Sequence, residues 1–460
     1  MNPRFNALLA ASALAVALGF LPEKLTAQSL RSIYSFTRGS DGANPYAGLL
    51  LSGTNLYGTA CYGGASSQGT IFRLCTNGTG LITLLSFSGG TDGGNPNAGL
   101  VLVSNTLYGT AVYRGSPTAN AGTVFKVNTD GSDFKVLHTF AGGDGGANPL
   151  GGLVASGNTL YGTTYHSSPG GGIVFAVNTD GSGFTNLYSF TGGSDGANPK
   201  AELVLAGNAL YGTTENGGAW GYGSVFTLQI GDMGFSTLYS FSGGDGANPE
   251  AGLTLWGNTL FGTTRLGGTQ GAGTVFALST DAVAFDPIYN FTGTVDGANP
   301  GAALILLGNT LYGVAAHGGG HGNGTVFAVR TDGSGFNTVH DFTAIGGIFS
   351  TNIDGANPTA GLLLSGNTLY GTACNGGKWG SGTLFSLAVQ APPQLRITPI
   401  PGNVILTWPT NSSGFTLLSA TNLASSASWS AILPGPMVVN GQNSLTDSIS
   451  GPQRFYRLSQ

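Results

Sequence analysis

Between residues 201 and 250 the apolar positions gather into four short runs, Ala201–Leu205, Ala209–Thr214, Ser224–Gln229 and Phe235–Phe241. Each is rich in Val, Leu, Phe, Tyr and Thr, and each is bounded by Gly, Asn, Asp or Pro. No apolar stripe recurs every three to four residues, so the runs predict strands rather than helices. The links between them alternate in kind. Ala206-Gly207-Asn208 is a short turn of residues that accept positive φ, as a tight hairpin requires. The stretches 215–223 and 242–249 are longer and glycine-rich.

This unit recurs. Asp-Gly-Ala-Asn-Pro, or a close variant, ends at Pro45, Pro96, Pro149, Pro199, Pro249, Pro300 and Pro358, with spacings of 51, 53, 50, 50, 51 and 58. Four antiparallel strands every fifty or so residues, seven times over, predict an all-β fold, a seven-bladed β-propeller with four-stranded blades. The ends of the array fit together. Leu30–Phe36 matches the fourth strand of a blade, whereas the last strand of the array, Gly382–Val389, is of the third type. The N-terminal strand is therefore expected to complete the sheet formed by 360–389 and close the ring, removing the open edges that an uncapped linear array would present. In this reading each Asp-Gly-Ala-Asn-Pro loop carries the chain from the outer strand of one blade to the inner strand of the next. Asp and Asn hold the turn by bonding their own backbone, and Pro sits at a strand start.

Composition supports this picture. Charged residues make up 8% of the chain and there are 81 glycines. Stacked blades bury both faces of each sheet, so few positions accept a charge. The formal net charge is −5 and no basic patch is visible, which argues against nucleic acid as a partner. Residues 1–27 carry Arg4, an apolar run over 7–21, Pro22 and a small residue before Gln28, and are expected to be a cleaved secretory signal. The apolar run falls short of the ~20 residues a membrane span needs, so no span is expected in the mature chain. Three cysteines do not form a disulfide framework and are read as buried thiols. Cys61 and Cys374 occupy equivalent places in the first and last repeats, so a disulfide stapling the ring is the alternative.

The run GNTLYGTT…GG…GTVFAVNTDGSGF…LYSF…DGANP resembles the GloVer (Gloeo/Verruco) tandem-repeat proteins of bacteria, over roughly residues 30–390. The resemblance implies an exported, repeat-built protein and carries over no catalytic residue. The chain departs from the pattern at 229–235 and 279–285, where the usual turn is replaced, and at 343–353, which lengthen the loop before the last repeat.

The propeller is expected to span 28–390. Ala391-Pro392-Pro393 is read as a linker, and 394–460 as a small β-sandwich, with strand-like runs at Asn403–Trp408, Phe415–Ser419 and Arg454–Leu458. Trp408 and Tyr456 are its expected core aromatics.

Candidate chemistry lies where loops vary on a rigid scaffold. The two long loops of each blade are expected to share one face. Just after the second strand stand Tyr62, Tyr113, His166, Asn216, Leu266, His317 and Asn375, and Trp220 and Trp379 sit among glycines further on. A Trp flanked by glycine suits stacking on the apolar face of a sugar, and packing at a blade edge is its bland alternative. His317 and His321 lie four apart, but no third ligand accompanies them, so no metal or other cofactor is expected. The repeated aspartates Asp41, Asp92, Asp144, Asp195, Asp245, Asp296 and Asp354 are read as structural turn caps rather than calcium ligands. Being alike, none is singled out as a catalytic acid or base, and Glu215, Arg265 and His166 are the odd ones out on that face.

These readings converge on a secreted or cell-surface protein with a non-enzymatic binding or structural role, and with extracellular glycan or protein recognised by the long-loop face. The alternative is an extracellular polysaccharide lyase or hydrolase. An asymmetric set of charges at the central mouth favours the enzyme, exposed Trp220 and Trp379 favour binding, and a uniform polar rim favours a structural role.

Overall fold

The computed structural model describes residues 30–116, 118–168, 170–231, 234–389, 395–400, 403–409, 415–421, 429–439, 441–448 and 454–459. The expected signal over 1–27 and the linker at 391–393 lie outside them.

Seven four-stranded antiparallel sheets follow one another along residues 31–388, making a seven-bladed β-propeller. The N-terminal strand Arg31–Ser35 pairs with Thr383–Ala388 and completes the sheet that also holds Thr368–Ala373 and Leu363–Ser365, closing the ring as the repeat count anticipates. Within 201–250 the second to fourth strands fall where the apolar runs place them, at Ala209–Thr214, Ser224–Gln229 and Phe235–Ser240. The first differs. It covers only Val204–Ala206, because the residues before it lie against the flanking blades, Ala201 and Glu202 beside Gly151, Gly152 and Gly252, instead of joining the ladder.

The core of the ring lies between the blades. Each outer strand ends in a fully buried phenylalanine that meets, edge to face, a phenylalanine on the third strand of the next blade. The pairs run from Phe36–Phe72 around to Phe342–Phe385, with ring centroids 5.0–5.5 Å apart. Such pairs add about 0.5–1.5 kcal/mol beyond the apolar area they bury. The repeated Tyr-Gly-Thr motif makes room for them. A Cβ on Gly212 would stand 2.5 Å from Cζ of Phe226, and the six equivalent glycines are as crowded.

The repeated loop bonds across blades as well as within itself. Its aspartate caps its own turn in six of the seven loops, as where Asp195 accepts the Thr191 N–H at 2.8 Å and the Tyr188 hydroxyl at 3.0 Å; the carboxylate of Asp144, in a short 3-10 turn, makes no such bond. Its asparagine, expected to bond its own backbone, instead takes positive φ and donates Nδ2–H to a carbonyl of the preceding blade. All seven asparagines do so, at 2.8–3.1 Å, from Asn95 to Cys61 O through to Asn44 to Cys374 O, which joins the last blade to the first. The proline that follows packs its Cδ against the preceding blade's positive-φ glycine, such as Gly223 against Pro249. Threonines of the second strand add a third bond, from Thr59 to Ala98 O through to Thr372 to Ala47 O, at 3.0–3.3 Å. Val314 lacks the hydroxyl, so the sixth blade goes without it.

Residues 396–459 form two further sheets, of four and three strands, around Val404, Leu406, Trp408, Leu417 and Leu445. Trp408 is fully enclosed and Tyr456 donates its hydroxyl to Asp447 at 3.0 Å, which is the expected small β-sandwich. The sequence pattern missed four of its strands, Arg396–Ile400, Ser430–Ala431, Met437–Val439 and Gln442–Ser448, whose faces are mostly exposed and carry little apolar alternation.

Two outcomes test this account. Phe226→Ala should cost about 3–5 kcal/mol, read as a lowered urea midpoint, since it empties one blade-to-blade seam. Deleting residues 30–36 should expose the edge of Thr383–Ala388 and convert a monomeric species into oligomers on light scattering. A stable monomer would contradict closure by that strand.

Candidate functional site

Isolated bridges pair each repeated loop with the start of the glycine-rich loop of its own blade, from Ala43 with Tyr62 to Ala356 with Asn375, so the two long loops do share a face. At the centre of that face lies a cavity of about 630 Å³. Its wall is built from two variable positions per blade. The first follows the proline of each repeated loop: Tyr46, Asn97, Leu150, Lys200, Glu250, Gly301 and Thr359 all line the cavity, and no two are alike. The second is the residue whose carbonyl accepts the asparagine bond, and Cys61, Val112, Tyr165, Glu215, Arg265 and Ala316 of this set join the wall. The latch that joins the blades thus also fixes the backbone from which these side chains project.

The wall is asymmetric. Tyr46, Tyr62, Tyr113 and Tyr165 lie on the first three blades, and Lys200, Glu215, Glu250 and Arg265 on the fourth and fifth. Lys200 Nζ pairs with Glu250 Oε2, and Arg265 Nη1 lies 3.3 Å from Glu250 Oε1, so both cations converge on one largely buried carboxylate. The Tyr165 hydroxyl is pushed up to about 12 by burial and by its hydrogen bond and charge contact with Glu215, and stays neutral. Tyr46 is likewise raised to about 12, chiefly by burial, with Cys374, Tyr62 and Cys61 contributing. His317 is lowered by burial and by Arg265.

Of the residues picked out from the sequence, Tyr62, Tyr113, Glu215, Arg265 and His317 come together here. Others do not. Asn216 and Asn375 hydrogen-bond to the latch asparagines Asn198 and Asn357. His166 lies outside the wall, edge-on to Tyr165. Trp220 and Trp379 are also outside it, 68% and 51% exposed, with the Lys378 ammonium 4.8 Å above the Trp379 ring. Both rings face largely into solvent rather than packing into a blade edge. His321 pairs with Asp341 at 3.2 Å, away from His317. Cys61, Cys75 and Cys374 are free thiols. Cys75 is only half-buried, and burial raises Cys61 and Cys374 to about 11 and about 12.

Sequence reasoning missed Tyr46, Lys200, Glu250 and Tyr165. The first three had a usable signal: each is the one residue that changes directly after an otherwise repeated pentapeptide. Glu202 was missed too. It stands where the other blades have Gly48, Gly99, Gly152, Gly252, Ala303 and Gly361, and its carboxylate lies over Gly152, where a Cβ would meet Oε2 at 2.9 Å. The residue is exposed overall, yet its carboxylate is crowded by the neighbouring blade, and this local desolvation pushes its pKa up to about 7.

The family described as Gloeobacter/Verrucomicrobia repeat matches residues 23–223, 118–254 and 207–395. Comparison with curated proteins gives no match. Among solved structures, a nidogen/laminin complex is similar at 15% identity and TM-score 0.38, covering 57% of this chain and 86% of that one. TolB from Acinetobacter baumannii is similar at 14% identity and TM-score 0.37, covering 58% of each chain. The tricorn protease is similar at 12% identity and TM-score 0.40, covering 80% of this chain and 33% of that one. This chain thus spans less than two thirds of the length of the latter two. Such low scores support no argument about what the cavity holds.

The raised pKa of Glu202 sets a pH dependence. An unfolded glutamate ionises near 4.5 and the folded one near 7, so its contribution to stability is fully present below 4.5 and is lost as pH rises through 7. Glu202→Gln should therefore raise Tm relative to the parent protein at pH 8, with the gap closing by pH 4. A gap that does not change with pH would show that the carboxylate is not desolvated.

Proposed function

The chain belongs to the Gloeobacter/Verrucomicrobia repeat family, and we propose that it is an exported, non-enzymatic protein that binds extracellular glycan in the axial cavity of its long-loop face. One observation carries this reading: seven blades repeat their framework nearly residue for residue, yet the seven residues that follow the repeated prolines, all at the cavity, are each different. A purely structural ring needs seven equivalent mouths. Seven different side chains around one opening suit an asymmetric ligand.

The chemistry of the wall favours a sugar. Tyr62 and Tyr113 are nearly half exposed and offer apolar faces for stacking on a pyranose, and Asn97 supplies a paired donor and acceptor. The volume suits a few sugar rings, and exposed Trp220 and Trp379 extend the apolar contact outward along the same face. Export fits the apolar N-terminal run, and among the described residues no helix is long and apolar enough to cross a membrane.

The grouping of Lys200, Glu215, Glu250 and Arg265 on two blades favours the second reading, a polysaccharide lyase or hydrolase. One assay separates the two. On a panel of immobilised polysaccharides, the expected outcome is retention without release of fragments, weakened about tenfold or more by Tyr62→Ala with Tyr113→Ala, on the scale of ~1–3 kcal/mol for a lost stacking contact. Released fragments would replace binding with catalysis. Retention that ignores both tyrosines would move the site off the cavity.

A further inference from the structure

The link between the sixth and seventh blades is longer than the others, and its extra residues are apolar where a loop has least reason to be. In the links 37–45, 88–96, 141–149, 191–199, 242–249 and 292–300, Val295 is the one apolar side chain larger than alanine apart from the repeated proline. Residues 343–353 bring Ile345, Ile348, Phe349 and Ile353. Gly346 and Thr351 pair across a small hairpin, their N–H groups donating to each other's carbonyls at 2.9 and 3.0 Å, and the Ser350 N–H closes a four-residue turn on Gly347 O at 3.4 Å. Ile348 and Phe349 are the two central residues of that turn. Such positions ordinarily take Gly, Asn, Asp, Ser or Pro. Here they hold two large apolar side chains that are 92% and 72% exposed, with Ile353 beside them at 80%.

The base of the hairpin is fixed. Asn352 Nδ2 donates to Thr343 O at 2.9 Å and Gly355 O at 2.7 Å, and its Oδ1 accepts the N–H groups of Gly355 and Gly377 at 3.0 and 2.7 Å. Asp354 accepts the Thr343 N–H at 3.0 Å and lies 2.9 Å from His340 Nε2. The turn leans on the seventh blade, where a Cβ on Gly380 would strike the Phe349 carbonyl. Next to Gly380 stands Trp379, with the Lys378 ammonium over its ring. The Lys378 N–H donates to Ser35 Oγ at 3.4 Å, and Arg38 follows three residues further along that strand's exit. Both cations are exposed, and neither forms an ion pair among the described residues. The carboxylates of these two links, Asp41 and Asp354, are buried caps.

The geometry points to a lipid bilayer as the partner of this hairpin. Ile348 and Phe349 enter among the acyl chains, Trp379 lies at the headgroup level, and Lys378 and Arg38 meet anionic headgroups. Side chains so exposed make a convex tip rather than a groove. A fluid bilayer closes around such a tip, whereas a sugar ring needs a flat aromatic face that isoleucine lacks, and a protein needs a pocket cut to the tip. Apolar residues bordered by an amphipathic ring and by long cationic side chains suit the boundary between acyl chains and headgroups. The link belongs to the long-loop face, so docking turns that face toward the membrane. The inference goes beyond glycan binding and does not rest on it.

The test is co-sedimentation with vesicles of phosphatidylcholine alone and of phosphatidylcholine with phosphatidylglycerol at 3:1. Residues 28–460 are used, since they hold every described strand and omit the apolar N-terminal run, which would itself enter lipid. The expected result is binding to both, about tenfold tighter to the anionic vesicles. Ile348→Ser with Phe349→Ser should weaken both about tenfold or more with Tm unchanged, because the two side chains face solvent. Lys378→Gln with Arg38→Gln should bring the two compositions within about threefold of each other. Tyr62→Ala with Tyr113→Ala should leave vesicle binding as it is, which separates this surface from the cavity. No sedimentation with either vesicle, or binding that ignores the tip variant, overturns the inference. So does self-association of the parent chain that the tip variant abolishes, which would make a second copy the partner. Loss of polysaccharide retention in the tip variant with vesicle binding intact overturns it as well and assigns the hairpin to the glycan site.

Discussion

The contact between one blade and the next is the constraint on which this molecule rests. A four-stranded blade of fifty residues has two apolar faces and little interior of its own, so its stability comes from its neighbours. Each seam is built from the same parts: a buried edge-to-face phenylalanine pair, an asparagine side chain bonded to the preceding blade's backbone, and a proline ring set against a glycine. An orphaned carbonyl at such a depth would be costly, and the asparagine satisfies it. The ring closes because the seventh seam is made of the same parts as the other six, with Asn44 and Pro45 reaching residues more than three hundred positions away and Phe36, on the strand that completes the last sheet, meeting Phe72 of the first.

Much of the unusual composition follows from these seams. Both faces of every sheet are covered, which leaves little room for charge. Glycine recurs where a phenylalanine of the adjacent strand or the next blade's proline would strike a Cβ, and where the loops take positive φ. The recurrence of Asp-Gly-Ala-Asn-Pro has the same cause. Its aspartate ties the turn, its asparagine and proline join the next blade to the last, and the residue after it is left without a structural duty.

That freedom is what makes a site. A seven-fold framework would by itself give a seven-fold cavity, but the residues released from framework duty differ in every blade. Tyrosines collect on one side and charges on the other. The charged departures fall on the fourth and fifth blades, where Lys200 and Glu250 follow Leu150, Glu215 and Arg265 follow Tyr165, and Glu202 takes the place of a glycine. Charged and aromatic side chains are therefore concentrated where the repeat pattern breaks, and the seams hold those side chains in place from behind.

The second to fourth strands of the blades, the blade count and the completing N-terminal strand were legible in the amino-acid order, whereas four strands of the C-terminal module were not. They depend on local alternation, on turn residues and on a period that repeats, and each of these is written within fifty residues. The sequence also pointed to Tyr62, Tyr113, Glu215, Arg265 and His317 as residues of the right face. Only the tertiary structure decided that they meet Tyr46, Tyr165, Lys200 and Glu250 in one cavity, that Asn216 and Asn375 serve the latch, and that Trp220 and Trp379 stand outside the wall. The reason is geometric. Residues one repeat apart become neighbours around an axis only once the ring has closed, and whether a loop side chain turns toward that axis or outward depends on contacts made by the adjacent blade.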